Sequence, residues 1–600
     1  MLLRYRVLPA SFIVFLLTAC GGKSTTPTTS TPPTTSVPTT PTPAAAVFTS
    51  TPNTQATEGS PYSYQLAATG TGVTFALSSA PTGATLSGNT VSWTPTAQQS
   101  RTPNSFTATA TVSGTTPATQ SWTVTPTGTI RISRVDTLWN ETGATTSSPF
   151  DWSSISSYVA ALVPQSDGSF RSLSGTAGAN GAFEIPNVPA GYYWLRLGPR
   201  DTYWTSSSTF DVGNDIFVPL SVPGAAPVST TAFNYSFTSL DPTPVSGLLQ
   251  VDSFETGMLP YSASTNAGST TFTGGIAING NLDYSGIKTL FVRQYKSATF
   301  GSINPVNGYV MGPELTVTNP SLTNGGVNTV SGSLNSTPAK SIDLSIQGSA
   351  WAPLFDHIAP TAPTATGGAF FLSVQPFVAA DGPNLSLSNP AMPLDLIKTK
   401  ADPAPYFTSG PCPQTLYPSL IKDVAAGNVQ YNDPFPVAWR RTFRVCHGAS
   451  VTISLPGGTQ TFNLTNTQTT SPPTATVQPL LSGVQNPKIN GADLFTAGTV
   501  NSKAVTLSWN PPAIGTPFGY NVSIVSPTTS NGQVTYLVSA TLGTAKTSMT
   551  IPSDLLKPGQ TYLFVITSLM DGKANMETSP HRSLLPVGSS DVISAAITTQ

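Results

Sequence analysis

The sequence predicts an all-β chain: tandem Ig-like β-sandwich modules on a disordered Thr/Pro-rich stalk. Three observations carry that prediction. Short runs of alternating Val, Thr, Phe and Tyr recur between clusters of Gly, Pro, Asn and Ser, the pattern of half-buried strands separated by turns. No long stretch shows the 3.6-residue apolar period of a helix. Charged residues make up only 8% of the chain, while Gly and Pro number 50 and 56, a composition rich in turn formers. The formal net charge of -1 leaves no electrostatic footprint for nucleic acid, and with no basic cluster an anionic membrane surface is not the expected partner. At 600 residues the chain has room for about four domains.

The elements follow in order from the N-terminus. Arg4 and Arg6 precede an apolar run at 7–19, whose length suits the ~7–15 residues of a secretory h-region. It is shorter than the ~20 residues that cross a bilayer. The run ends in Leu17-Thr18-Ala19-Cys20, which resembles the bacterial lipobox, where the signal is cut before Cys and the thiol carries a diacylglycerol. The resemblance implies a signal peptide at 1–19, lipidation at Cys20 with acyl chains such as palmitate, and attachment to the membrane through that lipid. An ordinary cleaved signal with a chance Cys is the alternative. Gly21, where inner-membrane retention would use Asp, favours the outer membrane, on its periplasmic or its surface-exposed face. Residues 20–46 then form the linker. From Ser24 to Pro43 almost no apolar side chain and no charge occurs, so this part cannot offset the entropy of ordering. Its prolines favour polyproline II, which gives roughly 20 residues a reach of about 60 Å.

Residues 47–126 read as a first sandwich. Tyr62, Tyr64 and Leu66 alternate, as do Val73, Phe75 and Leu77, and Pro81-Thr82-Gly83 marks a turn. Glu58, Gly59, Tyr62, Pro81, Gly83, Trp93, Thr94 and Pro95 together resemble the putative-Ig, dystroglycan-type cadherin-like family, with its "EG-x-x-Y" opening, "P-x-G" turn and "W-T-P" strand. That resemblance implies calcium. The residues argue against it, because calcium takes about 6–8 oxygens and Glu58 is the lone acidic side chain between Val47 and Thr125. No cofactor is expected, calcium remaining the one that resemblance admits.

Residues 127–220 form the second module. In "GANGAFEIPNVPAGYYWLRL", Phe183 and Ile185 alternate inward, Pro189-Ala190-Gly191 turns the chain, and Tyr193 and Leu195 return. With Gly181, Val188 and Pro189 these residues resemble the carboxypeptidase-regulatory-like, prealbumin-type sandwich, an accessory module without peptidase chemistry. The last module, 486–600, resembles a fibronectin type III domain: Trp509 fills the core from one strand, Tyr520 and Val522 oppose it, and Leu556, Pro558 and Tyr562 form the tyrosine corner. No Arg-Gly-Asp tripeptide occurs. Between these lies 221–485, β-rich and without a recognisable family, either one large domain or two small ones.

Cys412 and Cys446 are an even pair in a chain read as exported, the setting in which disulfides form. The loop of about 35 residues so closed is worth roughly 3.8 kcal/mol in the chain-entropy model. The strand-like stretch from Val437 to Val445 would be tied to a loop. A Cys-His metal site at Cys446 and His447 is the rival reading, but a structural zinc takes four ligands and His357 and His581 are isolated in sequence. No metal site is expected.

Catalytic motifs are missing: no His-Glu-x-x-His, Gly-x-Ser-x-Gly, phosphate loop or calcium loop occurs. Asp356-His357 is the one adjacent acid-base pair. Asp252, Glu255, Asp356 and Asp433 leave a glycoside-hydrolase pair open, since such carboxylates can lie far apart in sequence. Trp139, Trp152, Tyr203 and Trp204 stand among Ser, Thr and Gly without clean alternation, which suits either sandwich packing or flat, polar ligands such as sugars. The expectation is a cell-surface lipoprotein, not an enzyme, displaying Ig-like modules for adhesion or for binding polysaccharide or protein. A structural envelope component without its own ligand, and a hydrolase sited in 221–485, are the alternatives.

Overall fold

The computed structural model describes residues 43–600, apart from 140–144, 218–227, 254–260, 281–283, 337–338, 376–377, 380–381, 385, 388–393, 400–417, 504 and 531–532. Cys20, the stalk up to Thr42, Glu255 and Cys412 therefore lie outside the described residues. Within them the chain is all-β, broken by single 3-10 turns.

The first module is two three-stranded sheets. Tyr62–Gln65, Thr90–Trp93 and Thr85–Ser87 make one; Thr74–Ser79, Asn104–Thr111 and Ala118–Val124 make the other. Alternation places Tyr62, Tyr64 and Leu66 in a core with Trp93, Phe106 and Trp122. Ala84 N–H closes the turn on Pro81 O at 3.1 Å. Gly83 there has φ 86°, a left-handed geometry that glycine adopts without strain.

The second module sets Gly128–Ser133 between Ala182–Val188 and Thr209–Asp211. The facing ladder includes Ala160–Pro164, Tyr193–Arg196 and Asp201–Thr205. Phe183, Ile185, Tyr193 and Leu195 meet in its core, as the alternation predicts.

In the last module Gln485–Ile489, Thr506–Asn510 and Ser548–Thr550 form one sheet. Gln533–Thr544, Gly519–Ser530, Thr561–Met570 and Val587–Ile593 form the other. Trp509 is buried edge-to-face on Tyr520, centroids 5.2 Å apart. Tyr562 accepts a hydrogen bond from Lys557 N–H at 2.8 Å, which pins the corner.

Residues 221–485 supply the longest strands. Thr289–Phe300 pairs with Val306–Thr318, and Ala365–Gln375 lies between Leu394–Thr399 and Arg440–Leu455. The strand expected from Val437 starts at Arg440 instead. Arg441 donates to the carbonyls of Phe435, Pro436, Val437 and Trp439, holding them as a turn, and Val437 is 87% exposed.

The modules are fused in space, both between neighbours in sequence and between the second and the last. Gly458–Thr470 pairs antiparallel with Val587–Ile593, Asn466 opposite Ser590. Asp201–Thr205 runs parallel to the end of Gln533–Thr544, Asp201 opposite Thr541. One ladder of 18 strands thus passes through the second, middle and last modules. The largest apolar cluster among the described residues follows it, from Trp194 through Phe370 and Phe443 to Trp509 and Phe564, beside separate clusters in the second and middle modules.

Candidate functional site

The seam between the second and last modules carries the half-buried aromatic side chains. Trp194 and Trp204 are cross-strand partners, and Tyr192, just ahead of the strand Tyr193–Arg196, brings its ring against Trp204. Trp204 lies 5.6 Å from Tyr192, nearly parallel at 24°, and 5.1 Å from Trp194 at 51°. Trp194 is fully buried, its indole N–H donating to Thr550 O of the last module at 3.1 Å.

The last module frames these rings. Lys546 Nζ lies 4.9 Å above the Tyr192 ring, and the side chain stays 48% exposed. Tyr192 and then Glu577 hold the Lys546 amine above its ordinary pKa. Tyr192 O–H donates to Glu577 Oε1 at 3.0 Å, Lys546 lies 3.6 Å from the same oxygen, and Thr205 O–H donates to Glu577 O at 2.9 Å. The surface left to solvent therefore combines aromatic edges, the cation-covered face of Tyr192, a carboxylate and the Ser206 hydroxyl.

The first module braces the loops on either side. Arg101 Nε donates to Pro189 O at 3.0 Å, Nη2 to Gly191 O at 2.7 Å, and Nη1 to Ser206 O and Ser207 O at 2.9 and 3.0 Å. Its guanidinium also lies 4.9 Å over the Tyr193 ring. Glu58 ties the same modules, accepting from Thr129 N–H and pairing with Arg131. The one carboxylate available to calcium in the first module is thus already engaged.

Two of the four predicted binding aromatics belong to the core instead. Trp152 is 2% exposed, its indole N–H donating to Gly181 O at 2.9 Å. It sits in a 3-10 turn capped by Asp151, so strand alternation says nothing about where it points. Tyr203 is buried, and its hydroxyl meets His581 Nε2 at 2.8 Å. Because Val212 O at 3.2 Å can only accept, His581 carries its proton on Nδ1 and takes the Tyr203 hydrogen at Nε2. Burial lowers the His581 pKa. Trp139 packs half-buried against the large core. Tyr203 and Trp204 stand at the seam, Tyr203 buried and Trp204 half-buried between Tyr192 and Trp194. Sequence reasoning missed Tyr192, Lys546, Glu577, Arg101 and His581; Tyr192 stood within the second module's quoted motif, the others carried no local signal.

The carboxylates considered for hydrolysis are dispersed. Asp252 binds Arg293, its Oδ2 3.0 Å from Nε, in the interior. Asp433 is clasped by Arg441 at 2.7 Å and Lys340 at 2.8 Å. Asp356 is exposed at the end of the turn Ala352–Phe355. Cys446 is fully buried opposite Ala369, whereas His447 stacks on Trp351 at 4.4 Å and donates to Leu420 O at 2.9 Å. Among the described residues no three His, Cys, Asp or Glu side chains converge as metal ligands.

No protein-family model matches the chain, and no curated protein matches it. Among solved structures, similarity is found to the N-terminal eight Ig domains of Down Syndrome Cell Adhesion Molecule, 9% identical, covering 93% of this chain and 85% of that one with a TM-score of 0.13. Sidekick-1 immunoglobulin domains 1–5 are 9% identical over 93% of this chain and 99% of theirs, TM-score 0.14. The Bacteroides ovatus mixed-linkage glucan utilization locus protein SGBP-B, solved with a mixed-linkage heptasaccharide, is 10% identical over 64% of this chain and 96% of its own, TM-score 0.12. Overlap this low carries no argument about module arrangement or ligand.

Proposed function

We propose that this chain is a non-catalytic, lipid-anchored outer-membrane protein whose fused sandwiches present a ligand-binding surface, with polysaccharide as the ligand. The carrying observation is the seam: Tyr192 and Trp204 of the second module meet Lys546 and Glu577 of the last, and Arg101 of the first holds the bracketing loops. An aromatic ring supplies apolar contact to a sugar face, while carboxylate, amine and hydroxyl groups around it orient hydroxyls. Lys546 lies over Tyr192 as an exposed, flexible side chain, so a pyranose ring can replace it there without unpacking the core. The strand order of the last module and its Tyr562 corner favour the fibronectin type III reading. The linker and Cys20 supply the anchor in this proposal, and Cys446 pairs with Cys412.

The test is a glycan array and affinity capture from the envelope, using full-length chain. Binding of a sugar that Tyr192→Ala and Trp204→Ala both abolish, with the unfolding midpoint retained, is the expected outcome. Silence on the array together with capture of one envelope protein would replace this reading with a scaffold role.

A further inference from the structure

The middle module holds a buried amine beside a carboxamide. Lys398, on Leu394–Thr399, and Gln250, on Gly247–Asp252, come from strands three positions apart in the ladder, with Thr289–Phe300 and Val306–Thr318 between them. Both side chains are interior, Gln250 1% and Lys398 8% exposed. Lys398 Nζ lies 3.4 Å from Gln250 Oε1 and 4.0 Å over the Tyr295 ring. Its carboxylate neighbour Asp395 holds Oδ2 at 3.9 Å, beyond hydrogen-bond length, while Oδ1 accepts from the Ser373 hydroxyl at 2.7 Å. The second carboxylate of the cluster, Asp252, is committed to Arg293, whose Nη1 also donates to Tyr295 O–H at 2.7 Å.

This is poor design for a stable ion pair and suitable geometry for acyl transfer. A buried ammonium whose nearest carboxylate stands at 3.9 Å and which shares its pocket with the Arg293 guanidinium is only partly compensated, so the neutral, nucleophilic amine gains population. Burial lowers the Lys398 pKa to about 8, in the same direction. The amine already touches the oxygen of the Gln250 amide, so the fold holds the two reacting groups side by side.

We propose that Lys398 and Gln250 condense into an intramolecular amide cross-link, with Asp395 as the proton carrier. The Nζ lone pair attacks Gln250 Cδ. Asp395 Oδ2 takes a proton from Nζ and delivers it to Nε2, the Cδ–Nε2 bond breaks, and ammonia leaves. One C–N bond forms as one breaks, and no oxidant or co-reactant enters. The product joins residues 148 apart in sequence and staples Gly247–Asp252 across two intervening strands to Leu394–Thr399.

The experiment uses the full chain, reduced, denatured and digested, with the fragments weighed. A branched peptide joining Lys398 to Gln250, lighter than its two components by one ammonia, is expected from the wild type. It should vanish in Lys398→Arg and in Asp395→Asn, the latter remaining folded by circular dichroism because Ser373 still bonds the Asn oxygen. Recovery of Lys398 and Gln250 on separate, unmodified peptides from folded wild-type chain would overturn the proposal, as would a cross-link that persists undiminished in Asp395→Asn.

Discussion

His447 shows what a single buried side chain contributes. It is wholly enclosed, stacked on Trp351, and its Nε2–H is satisfied by Leu420 O, an arrangement that suits the neutral ring. Burial lowers its pKa to about 4. In the unfolded chain the ring titrates near ~6.5. Between those values the unfolded chain binds a proton and the folded one does not, so stability rises with pH across that window. Its full stability is present above ~6.5, falls as the pH drops toward 4, and levels off below; the difference is about 3 kcal/mol. Urea unfolding at pH 7.5 and pH 4.5 should show that loss, and His447→Gln should flatten it. His581 slopes the same way, since burial depresses its pKa as well.

At the scale of elements, the tyrosine corner gives a clean prediction. Tyr562→Phe removes the acceptor of Lys557 N–H while keeping the ring in the core, which should lower stability by about 1–2 kcal/mol in denaturant melts without changing the fold. Such features were legible because they are local. Trp509 and Tyr562, Phe183 and Ile185, Tyr62 and Tyr64 all sit where a period-2 pattern says they should. The residues of the proposed binding surface are legible only in part. Trp204 stands out as an aromatic among Ser and Thr, but its neighbour Tyr192 lies inside a motif whose pattern speaks only for Tyr193 and Leu195, and Lys546 and Glu577 come from a module far along the chain. Of the two roles the sequence leaves open, Trp152 and Tyr203 take packing: a 3-10 turn sets the phase of Trp152, and His581 from a remote loop covers Tyr203, neither of which local alternation reports. Periodicity reports which side of its own sheet a residue faces; it is silent on which second sheet will cover it.

For the whole molecule, what matters is that the ladder crosses module boundaries while the first module keeps a core of its own. Tyr62, Trp93, Phe106 and Trp122 form a cluster separate from the large core, and the first module is joined to the second through Arg101 and Glu58. The second, middle and last modules share backbone pairing and packing, so they cannot unfold one at a time without exposing strand edges and Trp194. Calorimetry of the full chain should therefore resolve one large cooperative transition for those three and a smaller one for the first module. Arg101→Ala leaves the carbonyls of Pro189, Gly191, Ser206 and Ser207 without their donor. It should weaken the junction by about 2–4 kcal/mol, shift the smaller transition downward, and speed proteolysis between the first two modules while the large transition keeps its shape. Three transitions of similar size in the wild type would mean that the modules behave as independent beads, and the continuous ladder would then carry little of the stability.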